Sequence, residues 1–84
     1  MANYGKGHTE EEIIRGCIAN DRRCQEILYR THFDVMMAMI RRFTQDDETA
    51  LHILNSGFLR VFKKVEKYSG QGSFQGWIRR IVYH

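Results

Sequence analysis

The chain has 84 residues, of which 43% are hydrophobic and 27% charged, with a formal net charge of +3. A chain of this length forms one domain at most, because it buries only about 60–65% of the surface it exposes when unfolded. The composition is that of a folded globular domain rather than a disordered chain. No apolar run approaches the ~20 residues a bilayer span needs, and the opening MANYGKGHTEEE holds no apolar signal core, so a cytoplasmic protein without membrane association is expected.

Residues 1–8, with Gly5 and Gly7 and few apolar groups, read as a flexible lead, and residues 9–84 as the helical domain. Thr9 followed by Glu12 is a capping box that starts a first helix. Ile13, Ile14, Cys17 and Ile18 form its apolar stripe. Asn20 and Asp21 end that helix or cap the next. A second helix is predicted from Asp21 to about Thr44, burying Ile27, Leu28, Tyr29, Phe33, Met36, Met39, Ile40 and Phe43. Its length leaves room for a bend near Thr31–His32, and Arg41 and Arg42 suit its C-terminal dipole.

Asp46 or Asp47 caps a third helix predicted to reach about Lys67, with Leu51, Leu54, Phe58, Val61, Phe62 and Val65 facing the core. Gly57 interrupts it, at a helix-propensity cost of roughly 1 kcal/mol relative to alanine, which a close helix crossing would explain. A glycine-rich loop follows. Ser73 caps a fourth helix whose stripe is Phe74, Trp77, Ile78, Ile81 and Val82. That helix has no stop signal before His84, which suggests that a longer protein continues beyond it. The expected fold is all-α, a compact four-helix domain.

Nothing in these residues assembles an enzyme. There is no nucleophile elbow and no P-loop, and the glycines of YSGQGSFQGW follow a helix rather than a strand. Cys17 and Cys24 are too few for a disulfide framework and fit as small buried hydrophobes. His8, His32, His52 and His84 stand singly, so neither a metal nor any other cofactor is expected.

The charge is unevenly spread. Residues 1–57 carry 7 basic and 9 acidic side chains, whereas residues 58–84 carry Arg60, Lys63, Lys64, Lys67, Arg79 and Arg80 against Glu66 alone. A basic C-terminal third suits a polyanion, and equally a plain solvated face. The loop within it offers Tyr68, Gly70, Gln71, Gly72 and Ser73 between cations, a pattern suited to an unpaired nucleic-acid strand: bases stack on aromatic faces, and cations hold phosphates. The competing reading makes the loop a simple helix connector. That reading accounts for Phe74 and Trp77, which fall on the apolar stripe, and divides evenly with the first for Tyr68.

These residues, from EEIIRGCIANDRRCQEILYRTHFDVMMAMIRRF through ALHILNSGFLRVFKKVEKYSGQGSFQGWIRRIVYH, resemble region 2 of bacterial sigma factors, in particular the extracytoplasmic-function group of the sigma-70 family. The specific part is FLRVFKKVEKY, the Gly/Ser-rich loop and SFQGWIRRIVYH. The resemblance implies that the third helix docks on the clamp of the core RNA polymerase largest catalytic subunit, through His52, Asn55, Ser56, Leu59, Arg60 and Lys63. It implies that Lys67, Tyr68, Ser69, Gly70, Gln71, Gly72 and Ser73, with Lys64 as a flanking DNA-binding cation read from the charge pattern, receive a base flipped from the −10 nontemplate strand of promoter DNA, and that Arg80, Tyr83 and His84 read the same element. It further implies an anti-sigma factor as a partner. Family members commonly carry an acidic residue in place of His52, glutamine in place of Asn55 and asparagine in place of His84, and their −35-reading helix-turn-helix module is absent from these residues. A helical protein-interaction adaptor, or a protein that binds only duplex DNA, are the alternatives that the residues alone leave open.

Overall fold

The computed structural model describes residues 4, 5 and 7–83. They form four α-helices: α1 (Glu10–Ile18), α2 (Arg22–Ile40), α3 (Asp47–Lys64) and α4 (Phe74–Tyr83), with a short 3-10 turn, Val65–Lys67, extending α3. The fold is all-α.

Local chemistry sets each boundary. The Thr9 hydroxyl accepts from the Glu12 amide at 3.2 Å while Glu12 Oε1 accepts from the Thr9 amide at 3.0 Å, so the capping box is complete. Ile13 and Cys17 are buried. Ile18, expected on the same stripe, is exposed, because five residues at about 100° each turn it some 140° from Ile13. Asn20, at φ 65, reverses the chain, and Asp21 Oδ1 accepts from the amides of Arg23 and Cys24 at 2.9 and 3.4 Å to cap α2.

The second helix stops earlier than expected. At Arg42 and Phe43 the backbone bonds tighten to three-residue steps, Arg42 to Met39 at 3.3 Å and Phe43 to Ile40 at 2.9 Å. Phe43, expected in the core, is therefore carried outward and is 65% exposed. It stacks on Tyr83 with ring centroids 5.3 Å apart. Asp46 caps α3, accepting from the Thr49 amide at 3.2 Å and from its hydroxyl.

One core joins Ile13 and Cys17, Leu28, Met36, Met37 and Ile40, Ala50, Leu54, Phe58 and Val61, Val65, and Phe74, Ile78 and Val82. Leu51, expected there, lies at the margin of the α3 stripe, turned about 60° from Leu54, and is exposed. Gly57 brings α3 and α4 together: a Cβ on it would sit 2.9 Å from Val82 Cα, closer than two such atoms approach.

Residue 4 departs from the expected free lead. Tyr4 is 5% exposed and packs into the core cluster. Its hydroxyl donates to Glu10 Oε2 at 2.7 Å and lies 2.9 Å from His32 Nε2. Burying the ring stabilises the contact, and those two partners keep the hydroxyl from being stranded in the apolar interior.

Candidate nucleic-acid interface

The expected site residues fall on two separate surfaces. On α3, His52, Asn55, Ser56, Leu59 and Lys63 follow helical spacing along one outward face, opposite Leu54, Phe58 and Val61. His52, Asn55, Leu59 and Lys63 are exposed and Ser56 is half-buried. Leu59 is 63% exposed, an apolar side chain presented to solvent beside a lysine. Asn55 Oδ1 accepts from the Tyr29 hydroxyl at 2.6 Å, which fixes the amide at the border with α2.

Arg60 separates from that group. It is half-buried, and its guanidinium donates to the Ile81 carbonyl of α4 at 3.2 Å. It lines a groove of about 380 Å³ between α3 and α4 with Lys64, Trp77, Arg80 and Ile81. Three cations thus share a groove with a tryptophan that is only partly buried, where the sequence placed it on the apolar stripe. The indole stacks on Phe74 at 12° with 5.6 Å between ring centroids. This combination of cations and aromatic surface is what an unpaired strand requires.

The loop from Ser69 to Ser73 is exposed throughout, as are Lys64 and Lys67 beside it. Gly70 and Gly72 have φ 81 and 76, a left-handed conformation that other residues adopt at a cost of about 1–2 kcal/mol. A Cβ at either would meet nothing within 4 Å, so the conformation, not space, demands glycine. Tyr68 braces the loop: its hydroxyl donates to the Gly72 carbonyl at 2.9 Å, and its ring lies 4.9 Å from Phe74 and 5.4 Å from Trp77. The ring is half-buried, between the two roles the sequence allowed. Ser73 caps α4, its hydroxyl accepting from the Gly76 amide at 3.1 Å. Arg80 and Tyr83 on α4 are exposed; His84 lies outside the described residues.

A larger cleft, about 830 Å³, borders the loop at Gly72 and Ser73. It is walled by Gly72, Ser73, Phe74 and Gln75, by Thr31 and Val35 of α2, and by Tyr4, His8, Thr9 and Glu10. Beneath it sits His32, wholly buried, with Nδ1 3.1 Å from Gln75 Oε1 and Nε2 toward Tyr4. Burial holds its pKa below the usual 6.5, against the opposing pull of the Gln75 bond and the Glu10 charge. No role for this histidine was legible from its residue type alone. Its one signal was register: His32 falls four residues from both Leu28 and Met36, in the centre of the buried stripe of α2.

Neither thiol is primed to react: burial pushes Cys17 up to about 12 and also raises Cys24. Among the described residues no group of three or more His, Cys, Asp or Glu side chains could hold a metal ion, and no helix is long and apolar enough to cross a membrane.

The fold is a compact helical module that carries an exposed face on α3 with Leu59 and Lys63, and a glycine loop beside a basic groove toward α4. The family model for sigma-70 region 2 matches residues 28–84, and the chain belongs to that family. It is a family of transcription-initiation domains that bind RNA polymerase and promoter DNA, not of enzymes. No curated protein and no solved structure matches the chain.

Proposed function

We propose that the chain is region 2 of an extracytoplasmic-function-type sigma factor, working in the cytoplasm. In this reading it binds the clamp of core RNA polymerase through the outward face of α3 and receives an unpaired base of the −10 nontemplate strand at the α3–α4 loop. The observation that carries the reading is the separation of the two surfaces. Leu59 and Lys63 point away from the bundle, while the glycine loop and the Arg60–Lys64–Arg80 groove lie toward α4.

The chemistry needs no catalytic group. Removing a base from a duplex costs a few kcal/mol, and stacking that base on an aromatic surface returns about 1–3 kcal/mol. The loop supplies backbone amides and carbonyls at close range because Gly70 and Gly72 carry no side chain, and Lys64, Lys67, Arg60 and Arg80 neutralise phosphates. Lys63 and Leu59 suit a protein surface that carries both acidic and apolar groups. An anti-sigma protein covering α3 would compete for the same face.

The helical-adaptor reading draws on the exposed apolar residues Leu59, Phe43 and Tyr83, which would serve any protein partner. The two readings separate on single-stranded DNA. Tyr68→Ala lowers affinity for a −10 nontemplate oligonucleotide and leaves polymerase binding unchanged in the sigma reading. A folded wild-type chain with no affinity for single-stranded DNA at low salt favours the adaptor.

A further inference from the structure

We propose that the captured base enters the cleft of about 830 Å³ that borders the loop at Gly72 and Ser73, that Tyr4 and His8–Glu10 form a working wall of that cleft, and that His32 is the positioning residue that holds this wall against the loop. The inference rests on the base-capture reading and adds an element, N-terminal to the family match at residues 28–84, that the reading did not include.

The cleft has two walls from distant parts of the chain, and one imidazole reaches both. His32 Nδ1 meets Gln75 Oε1 at 3.1 Å, on the first turn of α4 immediately after the loop. His32 Nε2 meets the Tyr4 hydroxyl at 2.9 Å, and that hydroxyl donates to Glu10 Oε2 at 2.7 Å. The Thr9–Glu12 capping box fixes the next residues of the same wall to α1. Rings continue the connection: His32 stands edge-on to Phe74 at 6.3 Å, and Phe74 packs on Tyr68, whose hydroxyl holds Gly72. The imidazole is wholly buried, so these bonds act in a low-dielectric interior where losing a partner is expensive.

The proton count makes the arrangement responsive. Gln75 Oε1 accepts, so Nδ1 carries a proton, and the neutral ring turns a lone pair at Nε2 toward Tyr4. Tyr4 then has one proton for two acceptors, Nε2 and Glu10 Oε2. A base entering the cleft and hydrogen-bonding to Glu10 or Gln75 changes that division. His32 therefore registers occupancy of a cleft it does not line.

The test uses the 84-residue chain and two single-stranded −10 nontemplate oligonucleotides, one intact and one abasic at the captured position. Wild type binds the intact strand more tightly. Tyr4→Phe keeps the buried ring and removes only the hydroxyl; it is expected to shrink the intact-to-abasic ratio about three- to tenfold, the loss of one net hydrogen bond, with abasic binding unchanged. Gln75→Leu, on the opposite wall, carries the same expectation should Tyr4→Phe fail to fold. The His32 ring-nitrogen resonances are expected to move on adding the intact strand and not the abasic one, which a merely structural histidine would not do. A folded variant that keeps the full ratio, with His32 resonances unmoved, overturns the wall while leaving loop capture standing. A wild-type chain that binds both strands equally removes loop capture itself, and this inference with it.

Discussion

Replacing Gly57 by alanine sets two opposing effects against each other. Alanine favours a helix interior by about 1 kcal/mol over glycine. The added methyl, however, would lie 2.9 Å from Val82 Cα, 3.0 Å from its Cγ2 and 3.1 Å from its Cβ. A rotamer change can relieve the clash with Cγ2 only; the α-carbon belongs to the backbone of α4, so the helix must move away by several tenths of an ångström. That movement loosens Phe74, Ile78 and Val82, all buried against α3 and its neighbours. Overpacking of this kind costs about 1–3 kcal/mol, which equals or exceeds the propensity gain. Subtracting that gain of about 1 kcal/mol leaves an expected loss of up to about 2 kcal/mol, or a fall in melting temperature of up to roughly 15 °C for a domain of this size. Urea unfolding followed by circular dichroism reads it directly. Val82→Ala removes both γ-methyls, Cγ2 at the crossing among them, and leaves Cβ and the α4 backbone where they were, so the double variant is expected to stay below Val82→Ala alone. A Gly57→Ala chain more stable than wild type would refute the reasoning, because propensity would then outweigh the crossing.

Four further outcomes rest on individual side chains. Tyr68→Phe removes the bond to the Gly72 carbonyl; it is expected to cost about 0.5–1 kcal/mol in single-strand affinity with core polymerase binding unchanged, and equal loss of both would count against separate surfaces. Trp77→Ala is expected to cost about 2 kcal/mol in urea unfolding, below the 3–5 kcal/mol of a fully buried aromatic, because the indole is only partly covered. Arg60→Met is expected to weaken single-strand binding and lower its salt slope by about one; a loss confined to polymerase binding would return Arg60 to the docking face. His32 has a folded pKa below its ordinary 6.5, so the unfolded chain binds more protons between those two values, and stability should be full above about pH 6.5 and decline as pH falls. The pH slope of urea stability between pH 7 and 5 should be smaller in a folded His32→Gln chain; an unchanged slope would show that another group carries it.

Much of the fold could be read from the sequence because local signals agreed with the global packing. Thr9 with Glu12, and Ser73, cap the helices they were expected to start, and of the alternatives left open Asp21 caps α2 and Asp46 caps α3. The stripes Leu54–Phe58–Val61 and Phe74–Ile78–Val82 are buried as their spacing requires. Ile18 and Leu51 were placed on stripes that their own helical angles take them off, and the other misses came where periodicity gives no guide. The end of α2 turns on three-residue bonds after Ile40, which no residue type announces, and Phe43 went outward with it. Tyr4 looked like part of a free lead because burial of a single aromatic leaves no repeat to detect; its partners, His32 and Glu10, are distant or ambiguous in sequence. The candidate site was legible as a loop between cations. Arg60 was not, since whether a half-buried arginine points along α3 or toward α4 depends on the Ile81 carbonyl it meets.

The proposed function requires that α3 present a polymerase-docking face distinct from the loop. A titration of the chain against the isolated clamp coiled coil of the polymerase largest subunit, with wild type, a Leu59→Asp/Lys63→Glu double variant and Tyr68→Ala, tests it most directly. Saturable binding is expected for wild type and Tyr68→Ala, and its loss for the double variant. No binding by a folded wild-type chain, or binding that survives the double change, would contradict the claim.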